Sequence, residues 1–315
     1  MVTLEQARNL AQDKLSQHII DEFRKDPLLD LMIFDDVVNP QGGQSLFYTY
    51  NRVTTFPTAD FRAIGSEYTP HEAETTPITV QLKVLGGSFE IDRVIAKHYY
   101  GLVNHVTFQI QQKIEATKAL FRDTFINGDT GTNALSFDGL EKALTGTDTE
   151  ITPDAVIDLS TPENIKNNKE ALIFWLDQML SELNGQPSAL LVSRKGYAAI
   201  KTAATILTQF TSTKDNLGRS ILHYGDIPII PMGDKPGTTD PIIGTDAEGT
   251  TSFYAVRIAQ DGVHAVSPAG QLPIETYLPN FTLPGAVKTG EVEMVTAIAL
   301  KATKAAGVLR GVKIQ

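Results

Sequence analysis

The sequence contains no cysteine in its 315 residues, which excludes disulfide bonds, thiolate metal sites and cysteine nucleophiles. It also lacks any uninterrupted run of about 18 apolar residues, so no segment is predicted to span a membrane. Positive charge is scarce, because 27 Lys and Arg residues face 37 Asp and Glu residues and give a net charge of −10. This balance disfavours a broad nucleic-acid-binding surface, which needs many cations to neutralise phosphates.

Motifs of catalysis and metal binding are missing as well. The six histidines are scattered and none begins a His-Glu-x-x-His pattern, and no Gly-x-Ser-x-Gly nucleophile elbow occurs. The stretch Phe125–Leu140, FINGDTGTNALSFDGL, carries acids, amides and glycines that suggest a calcium or phosphate loop. However, a calcium loop starting at Asp129 needs a glutamate where Leu140 stands, and a phosphate loop needs a lysine after its glycines. We therefore predict no catalytic, cofactor or metal site.

The same stretch is better explained as the end of a helix. We expect Gly128 to adopt the left-handed conformation that commonly ends helices. The helix it ends is predicted to start at Arg93 and to extend to Phe125, because apolar residues recur there at helical spacing. An N-terminal helix is also predicted, started by a Thr3–Gln6 capping box and ended by Pro27.

Two alternating segments, SLFYTYNRV at 45–53 and PITVQLKV at 77–84, predict a long β-hairpin. About twenty polar residues separate them, so the arm could reach roughly 40 Å from its base. A two-stranded ribbon is marginally stable alone, and its open edges invite pairing. It is therefore either a lid over a site in its own chain or, as we favour, an arm laid on a neighbouring subunit. Candidate assembly residues are Arg52, Arg62, Glu67, Glu72, Glu74 and the helix-ending Gly128. The three glutamates can also be explained as a solvated face, or as catalytic carboxylates under a lid.

The second half of the chain predicts helices capped by Thr161, with Pro162 following, and by Ser193. The remainder is rich in strands. Helices and strands do not alternate regularly, which favours the α+β class.

Taken in order, several stretches resemble the major capsid proteins of tailed phages, whose fold is shared with encapsulins. These stretches are LKVLGGSFEIDRVIA (82–96), ATKALFRDTFINGDTGTNALSFDGL (116–140), LLVSRKGYAAIKTA (190–203), NLGRSILHYGDIPIIPM (216–232) and TTSFYAVRIAQDGVHAVS (250–267). The resemblance implies a phage major capsid fold with an N-terminal arm, an extended hairpin loop, a peripheral domain built on a spine helix, and an axial domain. The expected divisions are an N-terminal arm at 1–43, hairpin loop at 44–92, peripheral domain at 93–150, axial domain at 151–268, a return to the peripheral domain at 269–306, and a terminal strand at 307–315 that joins the axial domain.

The resemblance further implies a structural, non-enzymatic protein of the virion. Its subunits would form hexamers and pentamers of an icosahedral shell, assembled in the host bacterial cytoplasm around double-stranded DNA that is held without sequence-specific binding. No cofactor and no membrane partner are expected, whereas a separate scaffolding protein, a portal and decoration proteins are candidate partners. The alternatives are an encapsulin-like nanocompartment shell and an enzyme with a hairpin lid.

Covalent cross-linking of the shell is not expected. Some members of the resembled family join subunits by isopeptide bonds between a hairpin lysine and a neighbour's asparagine. Here Lys83 is the only lysine between residues 44 and 86, and it lies near the hairpin base. Arg52 and Arg62 cannot substitute, because a guanidinium stays protonated.

We therefore predict a shell held by non-covalent contacts alone. Particles boiled in detergent should give a single band near the chain mass on a denaturing gel. A ladder of larger species would contradict this and would direct attention to Lys83.

Overall fold

The computed structural model describes residues 3–10, 14–38, 46–55, 57–98, 105–206, 210–214, 220–269 and 273–315. Its helices are α1 (Leu4–Leu10), α2 (Lys14–Arg24), α3 (Pro27–Leu31), α4 (Arg93–His98), α5 (His105–Asn127), α6 (Leu140–Leu144), α7 (Pro162–Ser181) and α8 (Arg194–Ile206). In this part of the chain no helix is both long enough and apolar enough to cross a membrane.

The strands in the first part of the chain are β1 (Phe34–Val38), β2 (Phe47–Thr55), β3 (Glu74–Gln81), β4 (Lys83–Asp92), β5 (Glu150–Ile151), β6 (Ile157–Asp158) and β7 (Ala189–Val192). Those that follow are β8 (Phe210–Lys214), β9 (Ser220–Tyr224), β10 (Ile227–Pro231), β11 (Thr250–Val256), β12 (Val263–Pro268), β13 (Ile274–Tyr277), β14 (Val287–Leu300) and β15 (Ala306–Lys313). The mixture confirms the α+β class.

Local signals explain the N-terminal helices in part. The capping box is confirmed: the Thr3 amide donates to Gln6 Oε1 (3.1 Å), and the Gln6 amide donates to Thr3 Oγ1 (3.3 Å). The prediction for Pro27 was wrong, because this proline begins α3. Asp26 caps α3 by accepting the Leu28 amide at 3.0 Å, and proline suits the first helical position because its missing N–H would have no partner there. Residues 11–13 of the predicted helix lie outside the described residues.

A five-stranded sheet contains β1, β12, β14 and β13 in that order, and β4 pairs with β14 as well. The β4–β14 ladder extends from Asp92 opposite Val287 to Lys83 opposite Thr296. The prediction that the hairpin loop extends to residue 92 was therefore wrong for 83–92. The reason lies in β4 itself, whose buried Leu85 and Phe89 belong to the core that α5 covers.

The hairpin proper consists of β2 and β3, which pair antiparallel from Phe47 opposite Gln81 to Thr55 opposite Glu74. These two strands form a sheet of their own. Between them, every side chain from 57 to 73 is exposed, and this segment, the hairpin tip, contains neither helix nor strand.

The long helix of the fold is α5, which spans 23 residues and therefore about 35 Å. The shorter α4 precedes it, and residues 99–104 of the predicted single helix lie outside the described residues. Lys118 on α5 is almost fully buried and donates to the Glu22 carbonyl of α2 at 3.1 Å. This contact ties the N-terminal helices to the long helix.

An eight-stranded sheet follows the order β5, β15, β11, β7, β10, β9 and β8, with β6 also on β15. Both predicted helix caps in this part are confirmed: the Asn164 amide donates to Thr161 Oγ1 (3.2 Å), and the Gly196 amide donates to Ser193 Oγ (3.0 Å). The predicted end of the axial domain, at residue 268, was wrong. The strand β12, placed at the end of the axial domain by the sequence, lies between β1 and β14 in the five-stranded sheet, where all its residues are buried.

Two hydrophobic cores result. One is formed by the N-terminal helices, α5 and the five-stranded sheet, and the other lies between the eight-stranded sheet and helices α7 and α8. Arg310 of β15 joins them: its guanidinium is 2.8 Å from the Glu141 carboxylate of α6 and also pairs with Glu150. Because Glu141 also accepts the Tyr254 hydroxyl, a half-buried ionic network fixes the junction.

Candidate assembly interface

One carbonyl of the five-stranded sheet accepts two hydrogen bonds from the hairpin. Tyr50 Oη donates to the Leu300 oxygen at 2.9 Å, and the Arg52 guanidinium donates to the same oxygen. We call Tyr50, Arg52 and this carbonyl the hairpin anchor. The structure thus places Arg52, a predicted assembly residue, in a contact within its own chain, so any effect on assembly acts through the position of the hairpin.

A second contact lies one step closer to the hairpin base. Tyr48 Oη donates to Asp35 Oδ2 at 3.2 Å, and Lys301 Nζ lies 5.5 Å from the centre of the Tyr48 ring. Burial, together with the Asp35 carboxylate, raises the pKa of Tyr48 above its ordinary value. His264 of β12 is fully buried on this side of the sheet, with its ring 6.0 Å from that of Tyr48. The sequence analysis missed this group, because its members are distant in sequence and only pairing of β1 with β12 brings Asp35 to His264.

A groove with many polar residues in its lining lies beside the anchor. It has a volume of about 640 Å³ and is lined by β2 from Asn51 to Thr54, by residues 147–149 and by residues 301–304, with Asn184 and Asp261. Its lining holds cations, acids, amides and threonine hydroxyls but no histidine. The groove therefore offers polar contacts without a nucleophile paired to an imidazole base.

The hairpin tip exposes apolar side chains to solvent. Phe61 and Ile64 have as much exposed surface as in an extended chain, and Tyr68 is 62% exposed. Arg62 closes a small turn beneath them, because it donates to the Ser66 carbonyl at 3.1 Å and lies over the Tyr68 ring. Contiguous exposed apolar patches commonly mark interaction sites.

Charged residues predicted for assembly lie around these apolar groups. Glu67 and Glu72 are exposed on the tip, and Glu74 begins β3, where its carbonyl accepts the Thr54 hydroxyl at 3.1 Å. The structure therefore brings Arg62, Glu67 and Glu72 to one loop, while Arg52 and Gly128 lie elsewhere. Sequence analysis selected the charges and missed Phe61 and Ile64, although an aromatic and a branched residue in a polar, proline-containing loop are themselves a signal.

Gly128 was predicted to be left-handed, and this was wrong, since it is not among the glycines with positive φ. A side chain is excluded for another reason: a Cβ on Gly128 would lie 2.2 Å from the Phe137 carbonyl oxygen. The chain returns here, and the Gly139 amide donates to the Gly128 carbonyl at 2.7 Å. Gly128 therefore permits close contact between two backbone segments.

A lysine closes the loop between Gly128 and Gly139, where the sequence had suggested a calcium ion. Lys142 Nζ lies 2.7 Å from Asp129 Oδ1 and 2.8 Å from Asp138 Oδ1. Its hydrogen bond, with those of Thr132 and the Gly131 amide, holds the pKa of Asp129 well below its ordinary value. Within the described ranges, no group of three or more potential metal ligands occurs.

Lys83 is engaged by the same loop. Its Nζ donates to the Ala134 carbonyl and to Gln81 Oε1, each at 2.8 Å. The one lysine between residues 44 and 86 is therefore held by its own chain, at the end of β3 opposite the tip. This position supports the prediction of a shell without isopeptide bonds.

We predict that Gly128→Ala destabilises the protein by about 1–3 kcal/mol, because backbone must move to admit the methyl group. Gly131→Ala is the matched control in the same loop, since its Cβ would meet only the Asp129 side chain at 3.3 Å. Gly128→Asn separates the two explanations, because asparagine tolerates the left-handed conformation. Urea unfolding of all three variants is the measurement; near wild-type stability of Gly128→Asn would refute the close-contact explanation.

The hairpin anchor predicts non-additive substitutions. Tyr50→Phe and Arg52→Met each leave one donor on the Leu300 carbonyl and should each cost less than about 1 kcal/mol. The double variant leaves the carbonyl without either donor and should cost about 1–3 kcal/mol more than the sum of the single effects. A double-mutant cycle in urea measures this, and simple additivity would show that the two residues do not share the carbonyl.

No protein-family model matches the sequence, and no curated protein matches it. Solved structures do match the fold. A chain of the holo-SrpI encapsulin complex from Synechococcus elongatus PCC 7942 superposes with a TM-score of 0.61 at 15% identity, covering 91% of this chain and 87% of its own.

Phage-type capsids match at similar levels. The capsid of the native GTA particle gives a TM-score of 0.58 at 11% identity over 89% of this chain and 88% of its own. A chain of Mycobacterium phage Adephagia gives 0.55 at 12% identity over 92% and 90%. The protein therefore has the fold that tailed-phage major capsid proteins share with encapsulins.

Proposed function

We propose that this protein is the major capsid protein of a tailed-phage particle and that it self-assembles into an icosahedral shell. The observation that carries the proposal is the hairpin: it is anchored at its base, while Phe61 and Ile64 at its tip are fully exposed. Such an arm on a capsid fold fits a contact between subunits. Burying Phe61 and Ile64 on a neighbour would stabilise each contact by about 3–6 kcal/mol.

The contact is directional, since the tip of one subunit meets a different surface on the next. Contacts of this heterologous kind close into rings when the rotation between neighbouring subunits closes. We propose that these rings are the hexamers and pentamers of the shell. The unit with the five-stranded sheet serves as the peripheral domain, and the unit with the eight-stranded sheet serves as the axial domain.

The shell would enclose double-stranded DNA without sequence-specific contacts. The net charge of −10 supports this, because an acidic wall does not hold packaged DNA by counterion release. Assembly in the host bacterial cytoplasm, a separate scaffolding protein, a portal and decoration proteins complete the proposal. A structural role without catalysis agrees with the shell proteins that share the fold.

An encapsulin-like nanocompartment is the second candidate, favoured by the TM-score of 0.61 to an encapsulin chain. The contents of particles purified from the native source separate the two. Nuclease-protected double-stranded DNA supports the phage capsid, whereas a single enclosed protein species supports the nanocompartment. A soluble monomer would instead support an enzyme with a lid.

The role of the tip is tested by the double variant Phe61→Ser/Ile64→Ser. We predict a folded subunit with wild-type circular dichroism that forms no closed shells in electron micrographs, because each contact loses its apolar anchors. The matched control is Thr58→Ser/Thr69→Ser, which alters exposed polar positions of the same tip and should assemble normally. Replacing residues 57–73 by a short Asn-Gly turn should also abolish shells. Normal shells from the double serine variant would contradict the role of the tip.

A further inference from the structure

His264 is a buried histidine whose ring nitrogens form no close hydrogen bond, although the backbone of Gly262 and Ala259 acts on the ring. The residue has no exposed surface, and neither ring nitrogen has a hydrogen-bond partner among the described residues. A buried polar group without a partner costs stability and needs an explanation. The position of His264 supplies that explanation. Its Nε2 lies 3.8 Å from Asp35 Oδ2, and the same oxygen accepts the hydrogen bond of Tyr48.

The charged and titratable groups around the ring come from each strand packed against it. Asp35 faces it from β1, Tyr48 faces it from the hairpin strand β2, and Lys301 follows β14. Asp35 is itself only 2% exposed. A proton on His264 would thus enter a closed space between a carboxylate that attracts it and an ammonium that repels it.

The hairpin is the element that protonation of His264 can release from the five-stranded sheet. Its two strands pair only with each other, and they contact the sheet through Tyr48, through the hairpin anchor and through partly buried Leu46, Ile78 and Val80. Elements with few buried contacts open at the lowest free energy, before the sheet itself unfolds.

We propose that His264, Asp35 and Tyr48 form a proton-sensitive latch, in which protonation of His264 releases the base of the β2–β3 hairpin from the five-stranded sheet. The imidazolium would replace the Tyr48 hydroxyl as the hydrogen-bond donor to Asp35 Oδ2. It would also repel Lys301, whose ammonium group lies over the Tyr48 ring. The latch is a property of the single chain and does not require the proposed shell.

The direction of the pH effect follows from the pKa of His264. Burial, and then the nearby Lys301, lowers this pKa from 6.5 to about 4 in the closed latch, although Asp35 and the backbone of Gly262 and Ala259 oppose the shift. An open latch exposes the ring and restores the ordinary pKa. The open form therefore binds more protons, so the latch is intact above about pH 6.5 and weakens as the pH falls towards 4.

Hydrogen exchange on the full-length chain tests the latch. After correction for intrinsic exchange rates, the opening equilibrium of the β2 and β3 amides should rise about 30-fold between about pH 7.5 and pH 5. In His264→Gln the rise should be less than about 3-fold, since the imidazole whose pKa differs between the closed and open latch is then absent. His223→Gln is the matched control, because it removes a histidine from the eight-stranded sheet, and it should keep the wild-type rise.

Two results would overturn the latch. One is an equal acid response in His264→Gln, and the other is simultaneous loss of protection in β12 and β14, which would indicate general acid unfolding. Should His264→Gln fail to fold, an NMR titration of the wild-type ring decides the matter. The latch requires that β2 amide shifts follow the His264 ring with one midpoint below 6.5; a His264 midpoint near 6.5 without change in β2 would refute it.

Discussion

A two-stranded ribbon cannot bury its own tip, and the position of this ribbon depends on a few contacts at its base. The Leu300 carbonyl receives two donors from β2, and the buried Asp35 carboxylate receives a third. These contacts fix the direction of the arm while Phe61 and Ile64 remain exposed at its end. The chain thus holds an apolar group away from its own core and leaves it exposed.

The rest of the fold supplies a rigid frame for that arm. The ladder between β4 and β14 continues the hairpin strand directly into the five-stranded sheet. Lys118 ties α5 to α2, and Arg310 links the two cores through Glu141 and Glu150. The charged groups at this junction are paired, so no uncompensated charge is left between the two cores.

Local chemistry made part of this structure predictable from the sequence. The caps at Thr3, Thr161 and Ser193 depend on neighbouring residues, and the structure contains all three. Predictions failed where a distant segment decides the outcome. The Phe137 carbonyl determines the need for Gly128, and pairing with β14 removes residues 83–92 from the hairpin. The Asp35–Tyr48–His264 group joins β1 and β2 to β12, which lies in the last third of the chain, so no spacing rule could reveal it.

The central claim is that the hairpin binds a second copy of the chain. Cryo-electron microscopy of the purified full-length protein tests it most directly, because it shows both the assembly and the location of the tip. Closed shells in which residues 57–73 pack with Phe61 and Ile64 against an adjacent subunit would agree with the claim. Isolated subunits whose hairpin folds back over the groove between residues 147–149 and 301–304 of the same chain would contradict it.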